Sequence, residues 1–322
     1  MVRRAAIDVG TNSVRLLVAD VLDGRRASSR LRPVLRHLAI TRLGEGLIPG
    51  GRLRPTAVAR TAAAVRRCLS LAQHAGVPDP VIVGTYALRT ARNPQALLSR
   101  LGRPLRILDG AEEARLGYAG VLAGFASRAP RRAVVVDIGG GSVELTSGRG
   151  RQIVAARSLP AGAVRLTERF LRHDPPHADE VAAVRGHLGR IVDAPLSAVA
   201  GVRGAAVRQT SLRIFGVGGT ITTMAAIIQR LRPYDPARVH GFRMSRGEVT
   251  RLTARLAAMP LAARRRLAGL QPERADIIVA GALVLEHLLD RLRARAITVS
   301  EADLLWALVL EPAPVARNPI AR

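Results

Sequence analysis

One pattern, Asp-x-Gly-x-x-Ser-Val-x-Leu, occurs twice and constrains this chain more than any other feature. It runs from Asp8 to Leu16 and again from Asp137 to Leu145, with five of nine positions identical. The second copy follows the apolar run Val134–Val136 and carries Ile138 just after its acid. Such a run reads as a buried strand. A buried strand that ends in an acid and then Gly139, Gly140, Gly141 and Ser142 is unusual turn chemistry. Glycine lets the backbone adopt positive φ and turn its N–H groups towards a ligand with no Cβ in the way. A nest of this kind attracts anions, phosphate above all, and Asp137 beside it could hold a hydrated metal ion against that phosphate. The competing reading is a tight hairpin in which the glycines serve geometry alone. Repetition favours the first: it implies two related halves, each offering strand, turn and strand with an acid at the turn. Two such hairpins facing one cleft would grip a phosphate from both sides.

At 322 residues the chain is long enough for two domains. Strands are expected at 3–9 and 14–20 as a hairpin, then at 34–42. Val58, Ala62, Val65, Leu69 and Ala72 recur at helical spacing, which predicts an amphipathic helix over 55–74. A short buried strand at 81–84 leads into 85–93, read as a polar loop carrying Arg89 and Arg92. A strand at 105–108 precedes a helix over 110–126 that opens with Glu112 and Glu113, where acids suit the helix dipole. The segment 127–132 reads as the domain boundary, giving domains 1–126 and 127–322, with a last helix at 300–311 able to pack back on the first. The second half has a hairpin at 133–147 and a strand at 153–159. Helices are expected at 162–172, 178–192, 245–257, 260–268 and 272–292, and a strand at 296–299, before a Pro-rich tail. Residues 195–209 give no clear pattern. Between them, 212–231 reads as strand, glycine turn and helix, with Gly218, Gly219 and Thr220 where a helix N-terminus would meet a phosphate. Interleaved strands and helices place the chain in the α/β class.

Composition narrows the partners. Hydrophobic residues are 48% and charged residues 23%, the balance of a globular chain. The longest apolar run, Ile277 to Leu285, is too short to span a membrane. No signal-peptide core follows Arg3 and Arg4, and the one cysteine, Cys68, falls on the apolar face of a predicted helix. The expectation is a cytoplasmic protein. Net charge is +26, and every one of the 50 basic residues is arginine. Compositional drift accounts for the choice of arginine over lysine, but not for having only 24 acids. So positive a field draws in polyanions. Aromatics are only 2%, which leaves few platforms for stacking bases and argues against nucleic acid. A phosphate polymer or phosphorylated small molecule fits at least as well.

Seven stretches together resemble the Ppx/GppA phosphatases: DVGTNSVRLLVAD, TYALRTARN, DGAEEARLGYAGV, VVVDIGGGSVELT, SLPAGAVRLTERF, GVGGTITTMAA and PERADIIVAGALVLEHLL. These are exopolyphosphatases and guanosine pentaphosphate phosphohydrolases of the actin-like ATPase superfamily. The resemblance runs from about residue 5 to residue 300, in order. It implies two ribonuclease-H-like domains with an interdomain cleft, and hydrolysis of a terminal phosphoanhydride with Mg²⁺. It implies a catalytic role for Glu113, with Asp137, Gly139 and Glu144 in the second phosphate-and-metal turn. It sets Asp8, Thr11, Asn12 and Ser13 in the first turn and Arg89 on substrate phosphate. Members of this fold often form homodimers, although no stretch here identifies an interface.

The chemistry is coherent with that assignment. Phosphoanhydride hydrolysis needs an in-line water, a carboxylate to orient it and positive charge on the phosphoryl oxygens. Glu113 or Glu144 could position the water, Asp8 and Asp137 anchor Mg²⁺, and Arg89 bind phosphate bidentately. Two departures from the family pattern stand out. Longer members carry an extra C-terminal helical region, so this chain is expected to favour short polyphosphate. The late family motif Ser-x-x-Gly-Leu-Arg-x-Gly is replaced by Ser300-Glu301-Ala302-Asp303-Leu304-Leu305-Trp306-Ala307. The substrate is expected to be inorganic polyphosphate or guanosine pentaphosphate. The alternative is a regulatory protein that binds polyphosphate or an alarmone with little turnover. A kinase or ATPase of the same superfamily ranks lower, and charge-driven nucleic-acid binding lowest.

Overall fold

The computed structural model describes residues 1–22, 31–47, 50–125, 132–200 and 212–310. It divides into two compact units, Met1–Arg128 with Leu304–Arg322, and Ala129–Asp303. The segment read as a boundary lies largely outside the described residues, as do 201–211 and the Pro-rich tail.

In the first unit, β1 (Val2–Val9), β2 (Ser13–Val21) and β3 (Leu31–Ile40) form an antiparallel meander. Then come α1 (Pro55–His74), β4 (Val81–Gly84), α2 (Tyr86–Thr90), α3 (Gln95–Leu101), β5 (Arg106–Ile107) and α4 (Gly110–Gly124). The sheet order is β3-β2-β1-β4-β5, with β4 parallel to β1. Strand side chains alternate between faces, and β1 is apolar on both. Ala5, Ile7 and Val9 pack with Val58, Ala62, Val65 and Cys68 of α1. Ala6 and Leu17 face the other way, with Leu304, Leu305, Leu308 and Val309 of α12 (Leu304–Leu310). Arg4 donates to the carbonyls of Val309 and Leu310 at 3.3 and 3.1 Å, satisfying orphan acceptors at that helix end.

The second unit repeats the plan. β6 (Arg132–Ile138), β7 (Val143–Arg149) and β8 (Gln152–Leu159) form the meander, followed by α5 (Ala163–Phe170), α6 (Ala178–Ala200) and β9 (Leu212–Val217). The chain continues through α7 (Gly219–Ile228), α8 (Pro236–Val239), β10 (Arg243–Ser245), α9 (Arg246–Ala258), α10 (Leu261–Arg264), α11 (Ile278–Arg291) and β11 (Ala296–Val299). The sheet order is β10-β11-β9-β6-β7-β8, with β9 parallel to β6. In both units the third, second, first and fourth strands therefore lie side by side with the same directions. The apolar run at 277–285 belongs to α11, which is buried in the core with β6, β7, α6, α7 and α9. No described helix is long and apolar enough to cross a membrane.

Four expected elements differ from what is observed. The polar loop at 85–93 contains α2, closed by Arg89 N–H to Thr85 C=O and by the Thr90 hydroxyl to Tyr86 C=O. The helix expected over 272–292 begins only at Ile278 and is preceded by a 3₁₀ turn, Pro272–Arg274. There the Ala275 carbonyl accepts from Arg264 Nε at 3.0 Å, a side-chain partner in place of a helical one. The last helix starts at Leu304 because the Ser300 hydroxyl bonds both C=O and N–H of Ala302, holding an alternative turn. Residues 260–268 are helical only over α10.

Candidate active site

The first turn is shaped by where its carbonyls go. Gly10 N–H donates to Ser13 C=O at 2.9 Å, closing it. The Asn12 carbonyl accepts from Thr41 and Arg42 N–H at 3.0 and 2.9 Å, and the Thr11 carbonyl from Gly44 N–H at 2.9 Å. In a trans peptide the C=O and the following N–H point in opposite directions. Docking these carbonyls on the end of β3 therefore turns the amides of Asn12 and Ser13 the other way. Both Thr11 and Asn12 are buried. Among the described residues, neither the oxygen nor the nitrogen of the Asn12 side-chain amide has a hydrogen-bond partner. Buried amides are rarely left so, and a bound anion with a hydration shell would satisfy both.

The charges around this turn are arranged in pairs. Asp8 and Arg15 face each other across β1 and β2. Asp8 Oδ2 accepts from Arg15 Nε and Nη2 at 3.1 and 2.6 Å. Arg89, on α2, donates through Nη1 to Glu113 Oε2 at 2.9 Å and to Leu108 C=O at 2.8 Å. Its guanidinium carbon lies 5.7 Å from the centre of the Tyr86 ring. Glu113 sits in the first turn of α4, whose N-cap Asp109 accepts from Glu112 N–H. Burial pushes Glu113 up to about 7; Arg89 opposes the rise, Asp8 adds to it and Arg15 opposes it. Glu112, one residue earlier, turns elsewhere and pairs with Arg106 at 2.9 Å, a structural use.

The second turn repeats the first with different charges. Gly139 N–H donates to Ser142 C=O at 3.0 Å. The carbonyls of Gly139, Gly140 and Gly141 accept from the amides of Ala163, of Val164 and Arg165, and of Gly162 respectively. Those bonds satisfy the N-terminus of α5 and, by the same planar geometry, turn the amides of Gly140, Gly141 and Ser142 away from it. A side chain on Gly162 would collide with the backbone of Gly140 and Gly141, so glycine is needed for this approach. Asp137 and Glu144 are partners across β6 and β7, the place held by Asp8 and Arg15 in the first unit. Glu144 is buried and its Oε1 accepts from the Ser158 hydroxyl at 2.7 Å.

The third turn adjoins the second. Gly218 has φ +90, and a Cβ there would lie 2.5 Å from Asp137 Oδ1. Gly219 opens α7, and the buried guanidinium of Arg274 rests against it. Thr220 is buried with its side chain against Gly281 of α11. The sequence-predicted residues thus fall into two groups, one in each unit. Asp8, Thr11, Asn12, Ser13, Arg89 and Glu113 gather in the first unit. Asp137, Gly139, Gly140, Gly141, Ser142, Glu144, Gly218, Gly219 and Thr220 gather in the second. Sequence reasoning missed Arg15 and Arg274. Arg15 had a signal, because the repeat aligns it with Glu144.

Residues 17–306 match the Ppx/GppA phosphatase family. The chain is 37% identical to "Exopolyphosphatase 2" of Mycobacterium tuberculosis over 96% of its length and 98% of that protein. It is 31% identical to "Exopolyphosphatase 1" of Mycobacterium leprae, over 95% of its length and 87% of that protein. Among solved structures, the Aquifex aeolicus member of the Ppx/GppA protein family superposes with a TM-score of 0.75 at 30% identity, covering 96% of each chain. An exopolyphosphatase from Cytophaga hutchinsonii superposes at 0.84 and 27% identity, covering 98% of this chain and 100% of that one.

Proposed function

Because the chain belongs to the Ppx/GppA phosphatase family and is thus a phosphoanhydride hydrolase, we propose that it releases terminal orthophosphate from short inorganic polyphosphate or from guanosine pentaphosphate, with Mg²⁺ as cofactor. The observation that carries this reading is Glu113: a half-buried carboxylate raised to about 7, fixed by Arg89. A base works best when its pKa lies near the working pH. Raised by burial towards neutrality, Glu113 in its ionised form can take a proton from water as the water attacks phosphorus. Arg89 keeps the carboxylate oriented and lends charge that stabilises its ionised form.

The first turn supplies an electrostatic part. Outward amides of Asn12 and Ser13, with Arg15 beside them, suit phosphoryl oxygens that gain charge in the transition state. Asp8 and Asp137 are the acids that would hold the metal: Asp8 accepts from Arg15, and Asp137 has Glu144 as its cross-strand neighbour. Mg²⁺ commonly takes one or two carboxylates together with substrate phosphates. When bound, Mg²⁺ would neutralise charge on the phosphoryl oxygens.

The test is phosphate release from tripolyphosphate, long polyphosphate, guanosine pentaphosphate and ATP, each with Mg²⁺ and with excess chelator. Release is expected from at least one of the first three, lost on chelation. Release from ATP alone would point to an ATPase. Tight binding of a phosphate polymer without release from any substrate would make the chain a regulatory binder.

A further inference from the structure

In the second unit, away from the glycine turns, a histidine is buried among arginines. His187 on α6 keeps only 7% of its surface exposed, and among the described residues it makes no hydrogen bond. Polar groups buried to that degree rarely lack a partner. Its ring packs on Phe170 of α5, with centroids 5.0 Å apart and planes tilted by 47°. The guanidinium carbon of Arg169 lies 5.0 Å from the centre of the same Phe170 ring. Arg190 follows His187 by one helical turn on the same side of α6. Its side chain runs back along the helix, with Nη1 3.8 Å from where a Cβ on Gly186 would be. Arg169 and Arg190 are both exposed, and among the described residues neither takes part in an ion pair or a hydrogen bond.

The charges here are of one sign. Burial lowers the His187 imidazole, and Arg169, Arg190 and Arg165 lower it further, so the ring is neutral at neutral pH. Acids on the surrounding helices are engaged elsewhere. Asp193 of α6 holds His287 and Arg291, and Glu286 of α11 pairs with Arg185. Glu180 of α6 accepts from the amides of Arg172, His173 and His177. Glu168 of α5 is exposed and is not among the charges that act on the ring. A neutral imidazole offers one donor and one acceptor, and each guanidinium offers a fork of donors. That set suits an oxyanion with several acceptor atoms and more than one charge, which describes a phosphate group. It suits nucleic acid less, because Phe170 is packed against His187 and Arg169 and is not an open platform for a base. We propose that Arg169, Arg190 and His187 form a second phosphate-binding site, outside the glycine turns, for orthophosphate or the phosphate groups of an inorganic polyphosphate chain. The start of α5 caps the Gly139–Gly141 carbonyls, and Arg169 lies roughly 8 Å further along that helix at about 1.5 Å per residue. The site goes beyond the hydrolase reading and does not depend on it, since it binds whether or not a bond is cut.

The experiment follows the histidine ring signals of the full chain by NMR, with excess chelator present. The chain has seven histidines, and the His187 signal is the one lost in His187→Asn. Orthophosphate, tripolyphosphate, long polyphosphate, a single-stranded oligonucleotide and chloride are added at matched ionic strength. The inorganic phosphates are expected to move the His187 signal and to raise its titration midpoint, because a bound anion stabilises the imidazolium. Chloride is expected to do neither. Arg169→Gln and Arg190→Gln, both surface changes, are each expected to weaken apparent affinity at this signal by roughly three- to tenfold. A response to orthophosphate as strong as that to the polymers assigns the site to the free ion, and one that grows with chain length assigns it to the polymer. No response to any inorganic phosphate overturns the proposal. So does a response matched by chloride or by the oligonucleotide at equal phosphate, or one kept in full by both arginine variants. Phosphate release plays no part in this readout, so absence of hydrolysis in the parent would count against the phosphohydrolase reading alone.

Discussion

Glu113 and Glu112 are adjacent acids with separate fates, and the difference is geometric. Successive residues on a helix point about 100° apart, so one reaches Arg89 and the other Arg106. The sequence offered two acids at a helix start; only the motif favoured the second, and nothing local indicated the pairing with Arg89. The pairing makes a pH prediction. The base must be ionised to act, so kcat/KM is expected to rise with pH through about 7 and then level off. Arg89 favours the charged form of Glu113. Arg89→Gln should therefore raise the carboxyl further, move the acidic limb to higher pH and lower the plateau. A parent limb near the ordinary value of about 4.3, or one unmoved by the substitution, would contradict this. Arg15 shows what could have been read but was not: the repeat aligns it with Glu144, the one exchange that reverses the charge beside a turn acid. Arg274 gave no such sign, because its partner Gly219 lies far earlier in the chain.

At the scale of elements, the three glycine turns were legible and their supports were not. Gly218 must remain glycine for two reasons, its φ of +90 and the 2.5 Å approach of a Cβ to Asp137 Oδ1. Gly218→Ala is expected to cost about 1–3 kcal/mol of stability and to lower phosphate release by displacing Asp137. Gly102 provides the control: its φ is +61, but a Cβ there meets nothing within 4 Å. Gly102→Ala should cost about 1–2 kcal/mol and leave activity unchanged. Equal loss of activity in both variants, with thermal unfolding as the stability readout, would contradict the role given to Gly218. Long periodic segments such as α1 were readable because an apolar stripe repeats over several turns. The five residues of α2 are too few to show a period, so 85–93 read as a loop. The break between the 3₁₀ turn and α11 was invisible for another reason: it involves Arg264, whose side chain takes the Ala275 carbonyl from a different helix.

Across the whole molecule, the repeat read in the sequence extends to topology. Both units arrange their first four strands alike and end the first strand of each meander in an acid-bearing turn. The two copies differ in charge where the repeat aligns Arg15 with Glu144. Asp8 is neutralised by Arg15, whereas Asp137 stands across from Glu144. The formal charge of +26 favours polyanion capture by the molecule as a whole, but it does not say whether a captured polyanion is cut. Phosphate release and polyphosphate binding, measured together on the parent and on Glu113→Gln, separate capture from cleavage. The account predicts that the variant binds as the parent does and releases phosphate roughly 10²- to 10⁴-fold more slowly. A variant that hydrolyses at the parental rate would contradict it.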